Sequence, residues 1–399
     1  MSGEDEPGQH FHETPVSLWT ITREWTRLGC IGFGGPPTHI ALLRQMCVEE
    51  RHWIEAKEFE DGIAATNLLP GPASTQLAIF CAWRLRGTIG AILGGVCFIV
   101  PGLILILLLS GVFLAHHPAD WILGAAAGAG AAVPAVALNA ASGFVPASWA
   151  RIGSGRMQRT RWILYALLGA AAAATIGPYL VLVLLACGVA EIVVRRAVSP
   201  VAGGSARLVL FGITGHALAV GGFAALAWVA LKVGALSYGG GFVIVPLMQH
   251  DAVTTYHWMT GAQFLDAVAL GQVTPGPVVQ TVAVVGYAAR GVGGGLFAAL
   301  VAFTPSFLFV LLGGPRFDRI RSNQTVASFL AGAGPAVIGA IAGSAIPLGL
   351  AFQRWWQVPV LAGALAWLFV VRRGVVGGLL LAGGVGVLLA LSGVLRPLS

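Results

Sequence analysis

Two ten-residue segments carry residue types that can hold an anion without a metal. The first is Asn67-Leu68-Leu69-Pro70-Gly71-Pro72-Ala73-Ser74-Thr75-Gln76. The second is Gln272-Val273-Thr274-Pro275-Gly276-Pro277-Val278-Val279-Gln280-Thr281. Proline lacks an amide donor and disfavours helix at the residue before it. Each Pro-Gly-Pro therefore ends one half-helix and can begin another. Gly71 and Gly276 suit a cap, and Pro72 and Pro277 suit a first helical position. The amides that follow have no intrahelical partner and lie at the positive end of the helix dipole. Such ends bind anions. Hydroxyls and amides of Asn67, Ser74, Thr75, Gln76, Gln272, Thr274, Gln280 and Thr281 could add donors. The bland alternative is a plain proline kink; two copies at matched positions weigh against it.

A second pair of candidates is Gly32-Phe33-Gly34-Gly35-Pro36-Pro37-Thr38-His39 and Tyr238-Gly239-Gly240-Gly241-Phe242. Consecutive glycines let backbone approach a ligand or let helices cross. Both readings of Gly34, Gly35, Pro36 and His39, and of Gly239 and Gly240, stay open. No strand precedes the run, so a dinucleotide loop is excluded.

Basic residues form a third set. Arg27 matches Lys232, and Arg84 or Arg86 matches Arg290. An arginine fork suits oxyanions, although anchoring at the lipid interface is an equal alternative. Asp61 and Asp266 are matched carboxylates, each nine residues before its Pro-Gly-Pro. An ionisable group costs roughly 2.5–3.5 kcal/mol at the bilayer centre, so these two could serve proton coupling or gating. Capping a helix amino terminus is the other reading. His39, Glu49 and Glu50 are further titratable candidates without matched partners.

The elements that must position these residues are apolar helices. The 399-residue chain is 57% hydrophobic and only 10% charged, with mean hydropathy +0.83. Stretches at 88–115, 121–150, 162–190, 208–231, 292–315, 325–353 and 374–395 are each long enough to cross about 30 Å of hydrocarbon. The expected fold is an all-α polytopic membrane protein with roughly ten to thirteen membrane segments. The alternating ten-residue pattern of a β-barrel is missing. Gly124-Gly128 and Gly339-Gly343 have the small-xxx-small spacing of close helix packing. The five cysteines show no metal-binding spacing. Met1–Glu13 is acidic and polar, unlike a secretory leader. The net charge of +7 marks cytoplasmic loops rather than nucleic-acid binding.

The chain contains itself twice. At a constant offset of 205, Gly34-Gly35 matches Gly239-Gly240, Trp53 matches Trp258 and Phe59 matches Phe264. Pro101 matches Pro305 at a slightly smaller offset. Four regions follow: a first repeat over 1–150, an Arg-rich connector with a hydrophobic hairpin over 151–207, a second repeat over 208–350, and a hydrophobic hairpin over 351–399. Arg44, Arg51 and Lys57 precede the first Pro-Gly-Pro, whereas 250–263 has no Lys or Arg. The loop 116–120 has none, whereas its counterpart carries Arg316, Arg319 and Arg321. Basic loops stay cytoplasmic, so the two repeats read as inverted. Parity then requires re-entrant or broken hairpins at 61–83 and 266–289.

Phe33-Gly34-Gly35-Pro36-x-x-His39, Trp53-Ile54, Phe59-x-Asp61 and Pro70-Gly71-Pro72 resemble the chromate ion transporter family in its long, two-domain form. Tyr238-Gly239-Gly240, Trp258, Phe264-x-Asp266 and Pro275-Gly276-Pro277 resemble that family's second domain. The second copy lacks a histidine at the His39 position, so the halves are expected to contribute unequally. The resemblance implies an inner-membrane secondary transporter that exports chromate and confers resistance, with sulfate as a structural mimic. Moving a dianion outward through 100 mV, negative inside, releases roughly 4.6 kcal/mol, at about 2.3 per charge. Uniport could suffice, and antiport is not required. The competing readings are a sulfate or related oxyanion carrier or importer, and an anion channel. No HExxH, GxSxG or GxxxxGK pattern points to an enzyme or an ATP-driven pump. The expected partners are chromate, sulfate and lipid, with a homodimer also allowed; no cofactor or nucleic acid is expected.

Overall fold

A computed structural model describes residues 16–66, 69, 71–115, 118–152, 155–175, 180–198, 222–237, 244–313 and 323–392. Among these residues the chain is helical and has no strand. Helices α1 (Leu18–Ile31), α2 (Pro36–Arg44) and α3 (Ala56–Thr66) are short, and α4 (Ala73–Phe113) is long. Then follow α5 (Asp120–Ala150), α6 (Arg156–Thr175), α7 (Leu180–Val198), α8 (Phe223–Leu236) and α9 (Ile244–Gln249). The remainder are α10 (Gly261–Val273), α11 (Thr281–Gly313), α12 (Gln324–Gly343), α13 (Ala345–Leu350), α14 (Gln357–Leu365) and α15 (Val375–Leu391). Among the described residues, four stretches are long and apolar enough to cross a membrane: Ala73–Phe113, Asp120–Ala150, Val278–Gly313 and Gln324–Leu350.

The 41 residues of α4 would extend about 61 Å as one rod, twice the hydrocarbon thickness. The helix instead folds back at Arg86 (φ −146°, ψ 27°) and Gly87 (φ 58°, ψ −148°). Gly87 lies in the left-handed region that a residue with a Cβ rarely adopts. Past this elbow, Gly90 and Gly94 pack against Ala82, and Gly95 packs against Ile79. The missing side chains let the two arms lie antiparallel in contact. The arm Ala73–Leu85 then pairs with α3 on its other side, where Gly62 faces the Phe80 ring. Helix α3 and the first arm of α4 thus pack as two helices on either side of the described turn residues Gly71 and Pro72.

Equivalent local geometry recurs in the second half of the chain. Helix α11 breaks at Arg290 (φ −150°, ψ 28°) and Gly291 (φ 63°, ψ −156°), and beyond that elbow Gly294 and Ala298 return onto Gly286. Arg86, rather than Arg84, is the residue in Arg290's local setting. A π-helical turn at Gln45–Glu50 has its like at His250–Thr255. Each is followed by a left-handed histidine, His52 (φ 49°) and His257 (φ 51°). Trp53 N–H donates to Cys47 O, and Trp258 N–H to Ala252 O, both at 2.8 Å.

The long arms of α4 and α11 meet at the centre. Gly95 faces Phe307, while Leu107 faces Gly295. Partners ascend one arm as they descend the other, so the arms run antiparallel. Ile99 and Ile106 of α4 lie in the apolar cluster built largely from the second half, with Phe264, Val279 and Phe303. Val310 of α11 lies in the cluster of the first half, with Trp25, Phe59 and Phe98.

The small-residue stripes pack as their spacing indicates. Gly124 and Gly128 of α5 touch Gly386 and Ala382 of α15. Gly339 and Gly343 of α12 touch Ala166 and Ala170 of α6. The helices therefore approach to backbone contact. Buried Glu191 of α7 ties the connector together, accepting from Arg161 at 2.9 Å, Arg195 at 2.8 Å and Tyr165 at 3.3 Å.

Candidate functional site

The first helix break places Pro72 as the N-cap of α4, with no side-chain cap. Gln76 N–H donates back to Pro72 O at 3.0 Å. The amides of Ala73, Ser74 and Thr75 precede that first helical bond, and all three residues are buried. Gly71 turns the chain at φ 120°, a conformation glycine supplies without strain.

His39 of α2 lies against this tip and is 1% exposed. Its Nε2 is 2.9 Å from Gly32 O, and its Nδ1 is 3.2 Å from Ser74 Oγ. A carbonyl can only accept, so Nε2 carries the proton that Gly32 takes. In the neutral ring, Nδ1 then accepts from the Ser74 hydroxyl. The hydroxyl assigned to a ligand on sequence grounds is committed to His39. Phe98 meets the imidazole edge-on, with ring centroids 5.1 Å apart.

Gly32 O also accepts from Gly276 N–H at 2.9 Å. A Cβ on Gly35 would lie 3.8 Å from Val278 Cγ2. The glycine run of the first half is therefore packed on the second Pro-Gly-Pro. The packing reading of this run thus has a contact at Gly35, while Gly34 meets only Thr38 among the described residues.

The second tip differs chemically. Val278 and Val279 follow Pro277, and a 3-10 turn over Val278–Gln280 precedes α11. Gln280 Nε2 donates to Ile99 O of α4 at 2.8 Å. Thr281 Oγ1 donates to Val278 O at 2.8 Å, and Thr274 Oγ1 to Leu270 O at 2.9 Å. Gly102 of α4 faces the Pro275 carbonyl and the Gln280 amide. Buried atoms without a partner among the described residues include Thr75 Oγ1, Ser306 Oγ, Gln280 Oε1 and Gln272 Nε2.

Other candidates stand elsewhere. Arg84 is exposed, ion-paired with Glu58 and over the Trp83 ring, about 16 Å along the helix from Ala73. Arg86 and Arg290 are exposed at the two elbows. None of the three reaches a tip. Asp61 and Asp266 sit within α3 and α10 rather than at their starts; Thr260 is the N-cap of α10. The capping reading is therefore set aside. Asp266 Oδ1 faces Gly130 of α5. Asn67, Pro70, Gly239 and Gly240 lie outside the described residues, as do Arg316, Arg319 and Arg321.

Sequence reasoning passed over Ser306 and Gly102, although each follows a matched proline, Pro305 and Pro101. It also passed over ion pairs made by two buried residues of matched setting, Glu24 and Lys232. Glu24 of α1 pairs with Arg51 at 2.8 Å and with Arg27 at 3.7 Å. Lys232 of α8 pairs with Asp251 after α9. The first ties α1 to the residue that ends the π turn Gln45–Glu50, and the second ties α8 to the π turn His250–Thr255, with opposite sign.

Long apolar helices and buried, broken helix ends define a multi-pass membrane protein. The chain belongs to the chromate transporter family, whose profile (Chromate transporter) matches residues 19–192 and 224–389. A chromate transport protein of Cupriavidus metallidurans is 32% identical over 346 residues, 84% of each chain. One of Pseudomonas aeruginosa is 30% identical, over 90% of this chain and 94% of that one. A probable chromate transport protein of Synechococcus elongatus is 29% identical, over 85% and 86%. No solved structure matches.

Proposed function

We propose that this protein is a secondary transporter that exports chromate across the inner membrane and confers chromate resistance. The observation carrying this reading is the pair of buried Pro-Gly-Pro tips joined through Gly32. Helix amides at the first tip offer an anion donors without a fixed cation. The names of the relatives supply chromate as the substrate.

The two halves act as inverted units, 1–150 and 208–350, that exchange access by rocking. The antiparallel register of the α4 and α11 arms supports this, as does the recurrence of elbow and π turn. Short polar contacts at Gly32 and Ile99 form the seam between the units. Asp61 and Asp266 serve coupling or gating, since neither caps a helix. Sulfate, as another tetrahedral dianion, competes.

The test is uptake of labelled chromate into everted vesicles, with and without excess sulfate. Saturable uptake lost on joint Pro72→Ala and Pro277→Ala replacement is the expected result. Uptake equal to that of empty vesicles overturns the chromate reading. Conduction without saturation would instead identify a channel.

A further inference from the structure

We propose that the oxyanion binds at the first Pro-Gly-Pro tip alone, and that Ser306, from the second half, donates the hydroxyl completing it. This inference rests on the transport reading above and assigns the site to one tip.

Ser306 follows Pro305 in the long arm of α11 and is wholly buried. Its Oγ has no partner among the described residues. A Cβ on Gly71 would stand 3.4 Å from that oxygen. The hydroxyl thus lies over the turn that opens α4, where the Gln76 side chain also stands, near the first-turn amides of Ala73, Ser74 and Thr75. Thr75 Oγ1 is equally buried and unpartnered. Most helical serines return their proton to a carbonyl one turn back, as Ser110 does to Ile106 O at 2.7 Å. Ser306 does not, so its proton remains available to an acceptor from outside the protein. With the Ser74 hydroxyl committed to His39, Ser306 and Thr75 are the hydroxyl donors left at this tip.

The corresponding position at the second tip is filled. Gly102 follows Pro101 as Ser306 follows Pro305, and brings no hydroxyl. The Gln280 side chain occupies that space and gives its N–H to Ile99 O. Its Oε1 is left over, as is the Oε1 of Gln76, whose side chain stands over Gly71 at the first tip; the hydroxyls, not the glutamines, separate the two tips. Val279 stands where the first tip has Ser74, and Gln280 where it has Thr75. A tetrahedral oxyanion therefore finds two unpartnered hydroxyls, Ser306 and Thr75, at the first tip, while the Thr274 and Thr281 hydroxyls of the second are given to Leu270 O and Val278 O.

The experiment compares wild type, Ser306→Ala, Ser306→Cys and Ser110→Ala in everted vesicles, each with labelled chromate. Ser306→Ala is expected to raise the half-saturating concentration about tenfold with maximal uptake within twofold. Ser306→Cys, a weaker donor, should fall between. Ser110→Ala removes a buried hydroxyl already satisfied by its own helix and should match wild type. A second readout is thermal stabilisation of purified protein by chromate or by sulfate, which Ser306→Ala should abolish. Normal saturation and stabilisation in Ser306→Ala, while Pro72→Ala/Pro277→Ala is inactive, would overturn the Ser306 assignment and leave the transport reading intact. If wild type takes up no chromate, that reading falls. Sulfate stabilisation lost in Ser306→Ala would still support the site, and no stabilisation by either anion would overturn it too.

Discussion

The carbonyl of Gly32 accepts from Gly276 N–H at 2.9 Å, joining the glycine run of one half to the Pro-Gly-Pro of the other. The same oxygen is 2.9 Å from His39 Nε2, and His39 reaches on to Ser74 at 3.2 Å. One line of hydrogen bonds therefore connects the two helix tips. A movement of either tip must break or carry this line, which makes it the mechanical seam between the halves.

His39→Ala removes the centre of that line and strands Gly32 O and Ser74 Oγ in a buried setting. An unsatisfied buried group costs about 1–3 kcal/mol, so a lowered melting temperature in detergent is expected. Uptake should fall about tenfold, the equivalent of 1.4 kcal/mol. His39→Gln, able to donate and accept, should recover part of both. Wild-type uptake by His39→Ala would remove the seam from the mechanism.

Gly102→Val should abolish uptake, because its Cβ would run into the Pro275 carbonyl. Backbone has little freedom to retreat from such a clash. Gly334→Ala is the control: nothing lies within 4 Å of its Cβ position. That variant should transport normally and gain up to about 1 kcal/mol of helix stability. Helix content by circular dichroism separates a blocked seam from an unfolded chain.

Lys232 and Asp251 form a buried pair, 8% and 5% exposed. Removing one partner leaves an uncompensated buried charge, at a cost of about 3–5 kcal/mol. Lys232→Met and Asp251→Leu should each reduce the melting temperature sharply. Their combination should recover most of the loss. A double variant as unstable as the sum of the singles would show that the pair does not act as one unit.

Arg86 and Arg290 are exposed at the two elbows and touch neither tip. Their charge can attract an approaching anion without holding it. Joint replacement by Gln should lower initial uptake severalfold at low salt. The deficit should shrink toward 1 M salt, where the screening length is about 3 Å. A salt-independent loss would instead place an arginine in direct contact with the anion.

Much of this architecture was readable from residue order. Low charge and long apolar runs require helices, since an unsatisfied backbone group in hydrocarbon costs several kcal/mol. Proline and glycine act through local sterics, so the breaks at Gly71 and Gly276 follow from the chain itself. Gly124-Gly128 announced its packing on Gly386 and Ala382 by spacing alone.

What the tertiary structure alone decided is which polar groups at the broken ends find partners within the protein. Ser74 and Ser306 are the same residue type, yet one hydroxyl is committed to His39 and the other faces a glycine turn. Gln76 and Gln280 are likewise similar in sequence, yet Gln280 crosses to Ile99 of the other half. Arg84, attractive by charge, is turned to Glu58. Hydrogen-bond partners separated by 35 to 181 residues are chosen by packing between helices. Local order fixes where a backbone must break, while only contact between distant segments determines which donors remain for a ligand.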